Sequence, residues 1–136
     1  MMNYKNVLTV CPYCGCGCNF YLSVLDNELI GVLPSKEHQV SQGRLCIKGL
    51  HASEFVTHEE RLKKPLVKQN GKFVETTWEN AYDIIAKKFS ECKEKYTADA
   101  IACLSSAKCT NEENYLMQKF CRVVLGTNNV DHCARL

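Results

Sequence analysis

No stretch of the 136-residue chain approaches the ~18 consecutive apolar residues that a helix needs to cross a bilayer, so no membrane span is expected. Residues 1–10 have neither the basic start nor the long apolar run of a secretory signal. The twin-arginine export signature is absent as well. An excess of basic charge is lacking as well: the net charge is only +2 and the lysines are dispersed, which does not suggest a nucleic-acid-binding surface. Internal repeats and low-complexity segments are missing, and an apolar fraction of 46% with 24% charged residues excludes a disordered chain. This length fits one ordinary domain or two small lobes. Such a chain can bury roughly 68% of its unfolded surface. The one excess is cysteine, with ten residues. Without an export signal, that excess points to a reducing cytoplasm with metal-bound and buried free thiols rather than to a disulfide scaffold.

The cysteines are not scattered evenly. Cys11, Cys14 and Cys18 form C-x2-C-x3-C, and 27 residues separate Cys18 from Cys46. Four thiolates converging from a tight loop and one distant position are the donor set of a [4Fe–4S] cluster. Gly15 and Gly17 permit the backbone curvature, and amides of such a loop can hydrogen-bond cluster sulfur. Five thiols compete for four places, and Cys16 is left out because C-x3-C gives Cys18 more reach than C-x-C gives Cys16. Zinc is the rival metal, but structural zinc sites usually pair two C-x2-C knuckles, and here Cys46 has no partner thiol beside it. A redox-active Cys11–Cys14 pair would leave Cys18 and Cys46 unexplained. Cys92, Cys103 and Cys121 fall on apolar faces or in an apolar run and read as small buried hydrophobes, whereas Cys109 is ambiguous. His38, His51 and His58 stand in polar surroundings and read as surface residues.

Around these thiols, Val7, Leu8 and Val10 predict a short strand ending at Cys11. Asn19–Leu25 and Glu28–Leu33, joined by Asp26-Asn27, predict a hairpin closed by Pro34. The polar segment from Ser35 to Arg44 reads as a loop returning Cys46 to the other thiols. Leu50 to Arg61 predicts a short helix, Pro65 ends it, and Asn70-Gly71 marks a turn. Trp78, Ala81, Ile85, Phe89, Cys92 and Tyr96 recur at steps of three and four. They predict an amphipathic helix over residues 78–96, with Thr76 and Glu79 as its capping box. Asp99–Leu104 predicts a buried strand broken by Ser105-Ser106. Glu112–Leu125 predicts a helix with Leu116, Phe120 and Val124 on one face and Gly126 as its stop, and Val130 starts another strand. Strand, helix and strand make a βαβ unit, whose ligand site lies beyond the carboxyl end of the first strand, at the loop from Ser105 to Thr110. The fold class is therefore α+β or α/β.

The thiol loop, followed by Gly43-Arg44-Leu45-Cys46-Ile47-Lys48-Gly49, resembles the N-terminal domain of the molybdopterin oxidoreductases. The similarity continues through Pro65-Leu66, Thr77-Trp78-Glu79-Asn80-Ala81, Asn111 to Phe120, and Gly126 to Arg135, and so covers essentially the whole chain. The closing Asp131-His132-Cys133-Ala134-Arg135 resembles formate dehydrogenase catalytic subunits, whereas nitrate reductases tend to carry Asn-Ser-Arg there.

The resemblance implies a small β-rich iron–sulfur lobe over residues 1–65 and the first part of a Rossmann-like pterin-binding domain over residues 66–136, together an incomplete fold. It implies that Cys11, Cys14, Cys18 and Cys46 bind the cluster, with Cys16 a spare thiol. Lys48 would lie between cluster and pterin and help electrons pass. Ser105, Ser106, Lys108 and Asn111 would contact a molybdopterin guanine dinucleotide carrying molybdenum or tungsten, although Ala107-Lys108-Cys109 stands where an arginine and a glycine often occur. The implied reaction is formate oxidation to carbon dioxide, or its reverse. The implied partners are the remainder of the catalytic subunit and an iron–sulfur, ferredoxin, hydrogenase or flavin electron carrier. In the formate-type pattern the metal-ligating selenocysteine or cysteine follows the residue matching Leu136. The expectation is that an in-frame UGA codon was read as a stop and that this piece alone does not turn over formate. Two other readings stay open: an assimilatory nitrate reductase of the same superfamily, and a stand-alone iron–sulfur electron carrier.

Overall fold

The computed structural model describes residues 2–133, so Ala134, Arg135 and Leu136 of the closing motif lie outside the described residues. The chain folds into two compact units. Among the described residues, the first comprises residues 2–61 together with 106–114, and the second comprises residues 62–105 and 115–133.

The first unit is built on a three-stranded antiparallel sheet in the order β1 (Tyr4–Val10), β2 (Asn19–Leu25), β3 (Glu28–Pro34). Asp26 and Asn27 both adopt left-handed backbone (φ 48° and 68°), which is the twist-matched geometry of a two-residue hairpin and suits Asp and Asn. Leu25 and Glu28 therefore pair directly, and the register runs on to Phe20 opposite Pro34 with a bulge at Ser23/Val24. Phe20 is almost completely enclosed and packs with Cys11 and Ala52, and Tyr13, Cys18, Leu22, Val32 and Leu45 close around them. The segment from Ser35 to Arg44 is the expected loop, stiffened where the Ser41 amide donates to His38 Nδ1 (3.1 Å). The helix expected over Leu50–Arg61 is instead two single turns, α1 (Ile47–Leu50) and α2 (Glu54–Thr57). The first of them starts three residues earlier than the apolar pattern indicates, directly after Cys46.

The second unit opens with a hairpin, β4 (Leu66–Gln69) and β5 (Lys72–Glu75), turned by Asn70 and Gly71 at φ 49° and 81°. Strands of four residues carry too little alternation to stand out in the sequence beside the Asn70-Gly71 turn. The long helix α3 runs from Trp78 to Tyr96 as expected, but its cap is one residue later than expected. Thr77 holds an extended backbone and its hydroxyl accepts from the Asn80 amide (3.2 Å), while Thr76 Oγ1 accepts from the Asn80 side chain.

The run expected as a strand over Asp99–Leu104 is a single 3-10 turn (Ala98–Ala100) and then β6 (Cys103–Ser105). Helix α4 (Asn111–Phe120) passes into a wider turn over Cys121–Leu125. It ends where Gly126, at φ 81°, lets the amides of Gly126 and Thr127 both reach the Cys121 carbonyl (2.8 and 3.1 Å). Strand β7 (Val130–His132) then pairs with β6 in parallel, Cys103 opposite Val130, so strand, helix and strand form the expected crossover. Its core is Ile101, Cys121 and Leu125, joined by Phe89, Cys92, Cys103, Met117 and Val130. Much of the apolar stripe of α3 stays open to solvent: Trp78 and Tyr96 are each 57% exposed and Ile85 48%. With Tyr82, Phe89, Phe120 and Val124, Ile85 lines an apolar groove of about 540 Å³.

Candidate metal centre

Everything that bears on the thiols lies in the first unit. Strand β1 delivers Cys11 into the core, and the chain then doubles back so that the Cys11 amide donates to the Cys18 carbonyl (2.8 Å). Gly17, in the left-handed region at φ 62°, makes that return possible just before Cys18. Cys14 and Cys18 are half-buried, and Cys16 is exposed.

Cys46 stands at the start of α1 and is exposed. The backbone amides of Gly49 and Lys48 hydrogen-bond its sulfur and pull its pKa down, with the Lys48 charge adding a smaller pull in the same direction. A thiolate held by amides in this way is prepared as a metal ligand. Gly49 is buried close to Cys11: a methyl group there would come within 3.8 Å of the Cys11 sulfur and 3.4 Å of Leu45 Cβ.

Cys11 behaves oppositely. Burial pushes its thiol up, a hydrogen bond from the Tyr13 amide opposes this, and the charges of Cys18, Cys14 and Cys46 push it further up. Cys16 is raised first by its hydrogen bond with Cys14 and then by the same surrounding thiols. Cys11 and Cys16 each feel the charges of Cys14, Cys18 and Cys46, so the loop thiols and Cys46 are near neighbours, and thiolates brought this close favour a cationic partner. Among the described residues, no three Cys, His, Asp or Glu side chains meet tightly enough to grip one ion. A cubane of four irons is a wider body, with each thiolate binding a different iron, so thiols spread around a volume suit it. The thiol donors and the amides that hold the Cys46 sulfur fit such a cluster.

Lys48 is exposed, and its Nζ sits 5.9 Å from the centroid of the Tyr13 ring, inside the thiol loop. Ser105 ends β6 in the second unit. Ser106, Lys108 and Asn111 belong to the first unit, where the Lys108 carbonyl accepts from the Cys14 amide (3.0 Å) and the Asn111 side chain donates to the Gly15 carbonyl (3.1 Å). This segment is braced by contacts not expected from the sequence. Thr110 and Glu113 cap each other reciprocally, the Thr110 amide donating to Glu113 Oε2 (2.7 Å) and the Glu113 amide to Thr110 Oγ1 (3.2 Å). The T-x-x-E spacing is a sequence signal that could have revealed it. The Asn114 side chain adds bonds to the carbonyls of Ser106 and Thr110 (3.1 and 3.0 Å).

Comparison with known proteins agrees along the whole chain. Residues 4–58 match the molybdopterin oxidoreductase Fe4S4 domain, and residues 61–136 match the molybdopterin oxidoreductase family. The chain is 50% identical over 135 residues to the F420-dependent formate dehydrogenase subunit alpha of Methanocaldococcus jannaschii, covering 99% of this chain and 19% of that protein. It is 51% identical over 136 residues to the F420-dependent formate dehydrogenase 2 subunit alpha of Methanococcus maripaludis, covering 100% of this chain and 20% of the relative. The chain therefore spans about a fifth of the length of these relatives.

Proposed function

The chain belongs to the molybdopterin oxidoreductases, whose cofactors are a [4Fe–4S] cluster and a pterin-held molybdenum or tungsten, and on that footing we propose that it supplies the cluster-binding portion of a formate dehydrogenase catalytic subunit. The whole protein would oxidise formate to carbon dioxide or run the reverse. The observation that carries this reading is the thiol loop with Cys46 held by backbone amides, together with half-identity to formate dehydrogenase alpha subunits along the full span.

In this proposal Cys11, Cys14, Cys18 and Cys46 ligate the cluster, and Cys16 remains a free thiol. When bound, the cluster supplies one-electron relay between the pterin-held metal and a redox partner. The residues of the chain set up that relay. The amides of Gly49 and Lys48 stabilise the Cys46 thiolate. Lys48 places a positive charge beside the thiol loop, and simple Coulomb attraction favours the more negative, reduced cluster. Ser105, Ser106, Lys108 and Asn111 are proposed as contacts to the guanine dinucleotide of the pterin. Residues 1–65 are proposed as the cluster domain, and residues 66–136 as part of a Rossmann-like pterin-binding domain, for which the parallel β6–β7 pair gives support.

The alpha-subunit names of the relatives support a separate electron-transfer subunit, with F420 as one acceptor for it. No helix among the described residues is long and apolar enough to cross a membrane. The free thiols favour the reducing cytoplasm as the compartment. The full-length enzyme, purified without oxygen, is expected to contain molybdenum or tungsten and to reduce an artificial acceptor with formate but not to reduce nitrate. Nitrate reduction without formate oxidation would reject the assignment.

A further inference from the structure

We propose that Asn111 is a positioning residue of the cluster loop: it latches the backbone between Cys14 and Cys16 and thereby tunes the cluster that these thiols surround. The inference rests on the cluster assignment above. Asn111 and Gly15 are 96 residues apart in sequence, yet the Asn111 amide nitrogen donates to the Gly15 carbonyl (3.1 Å). Immediately beside it, the Cys14 amide donates to the Lys108 carbonyl (3.0 Å). The loop thus gives one hydrogen bond to the 106–114 segment and receives one from it, at adjacent residues. Steric fit reinforces the pair. A Cβ at Gly15 would collide with the Asn111 amide oxygen and lie 3.1 Å from Asn111 Cγ, so this contact requires glycine at position 15.

The bracket is firm enough to hold a loop. Asn111 is the first residue of a ten-residue helix, and the Thr110–Glu113 capping box and the Asn114 side chain fix the turn that presents it. Its consequence for a cluster is specific. The Cys14 amide is committed to Lys108 and so is not a donor to cluster sulfur. The number and aim of amide donors around an iron–sulfur cluster are among the factors that set its potential. Releasing Asn111 frees the Gly15–Cys16 backbone and changes that donor set without altering a thiol ligand, and the Gly15→Ala variant does so without altering a proposed dinucleotide contact.

The test uses the full-length enzyme, prepared anaerobically, with Asn111→Ala, Asn111→Asp, Gly15→Ala and the Gly15→Ala/Asn111→Ala double variant. Iron and acid-labile sulfide should remain at wild-type levels in Asn111→Ala. Its midpoint potential and reduced-state electron paramagnetic resonance signal should shift, and iron should pass to a chelator about five-fold faster, the loss expected from one hydrogen bond. Asn111→Asp keeps the size, loses the donor and adds a negative charge, so it should also shift the potential, toward more negative values. Gly15→Ala should shift it further, and adding Asn111→Ala should reverse part of that change by opening the space the methyl group needs. Potentials unchanged from wild type in both Asn111 variants, or a double variant whose shift is the plain sum of the two singles, would overturn the latch. A wild-type enzyme without any cluster would instead defeat the underlying assignment.

Discussion

Cys121 is fully buried against Ile101 and Leu125, and burial, helped by a hydrogen bond with Cys103, pushes its pKa to about 11 from an ordinary value of 9.0. The folded state therefore prefers the neutral thiol more strongly than the unfolded state does. That preference contributes in full below about pH 9.0 and fades as pH rises through about 11. The stability difference between wild type and Cys121→Ala should accordingly shrink between pH 8 and pH 11 in denaturant titrations; a constant difference would contradict it. Iodoacetamide at pH 8 should leave Cys121 unmodified in peptide maps until denaturant is added. Cys92, Cys103 and Cys121 were legible as small hydrophobes because helical spacing or an apolar run places them on inward faces. The Asn111–Gly15 contact was not legible, since hydrogen bonds between distant segments leave no local periodicity.

At the scale of elements, helix ends carry most of the local conformational cost. Thr97 closes α3 at φ 75°, a left-handed backbone that a β-branched residue adopts only with strain, and its amide still reaches the Lys93 carbonyl (3.0 Å). Thr97→Gly should therefore stabilise the protein by about 1 kcal/mol, whereas Gly126→Ala, at φ 81° after α4, should destabilise it by about 1 kcal/mol. Thermal unfolding of the two variants should move in opposite directions. Removing the cap hydroxyl in Thr77→Ala should cost about 1 kcal/mol, while Thr76→Ala, which loses only a side-chain bond at the surface, should cost less. The sequence pointed to the helix but misplaced its cap because two adjacent threonines compete, and only backbone geometry decides between them. Similarly, Asn70-Gly71 announced a turn, while strands of four residues carry too little alternation to announce themselves.

For the whole molecule, the two units have separate cores, Cys11, Phe20 and Ala52 in one and Ile101, Cys121 and Leu125 in the other. Stripping the cluster with a chelator should raise hydrogen exchange around residues 11–18 and 46–52 and leave the protection of α3 and the Cys121–Leu125 turn unchanged. Uniform loss of protection would mean one cooperative core. The hairpin of the first unit and the strand–helix–strand crossover of the second could be read from apolar patterning, but the return of residues 106–114 to the first unit could not, because no composition shift marks it.

The most direct measurement is iron and sulfide content after anaerobic reconstitution of five single variants: Cys11→Ser, Cys14→Ser, Cys16→Ser, Cys18→Ser and Cys46→Ser. Wild type and Cys16→Ser should each bind about four iron and four sulfide per chain, and the other four should lose most of both. A wild type that takes up zinc but no sulfide, or a Cys16→Ser protein that loses its iron while Cys18→Ser keeps it, would contradict the account.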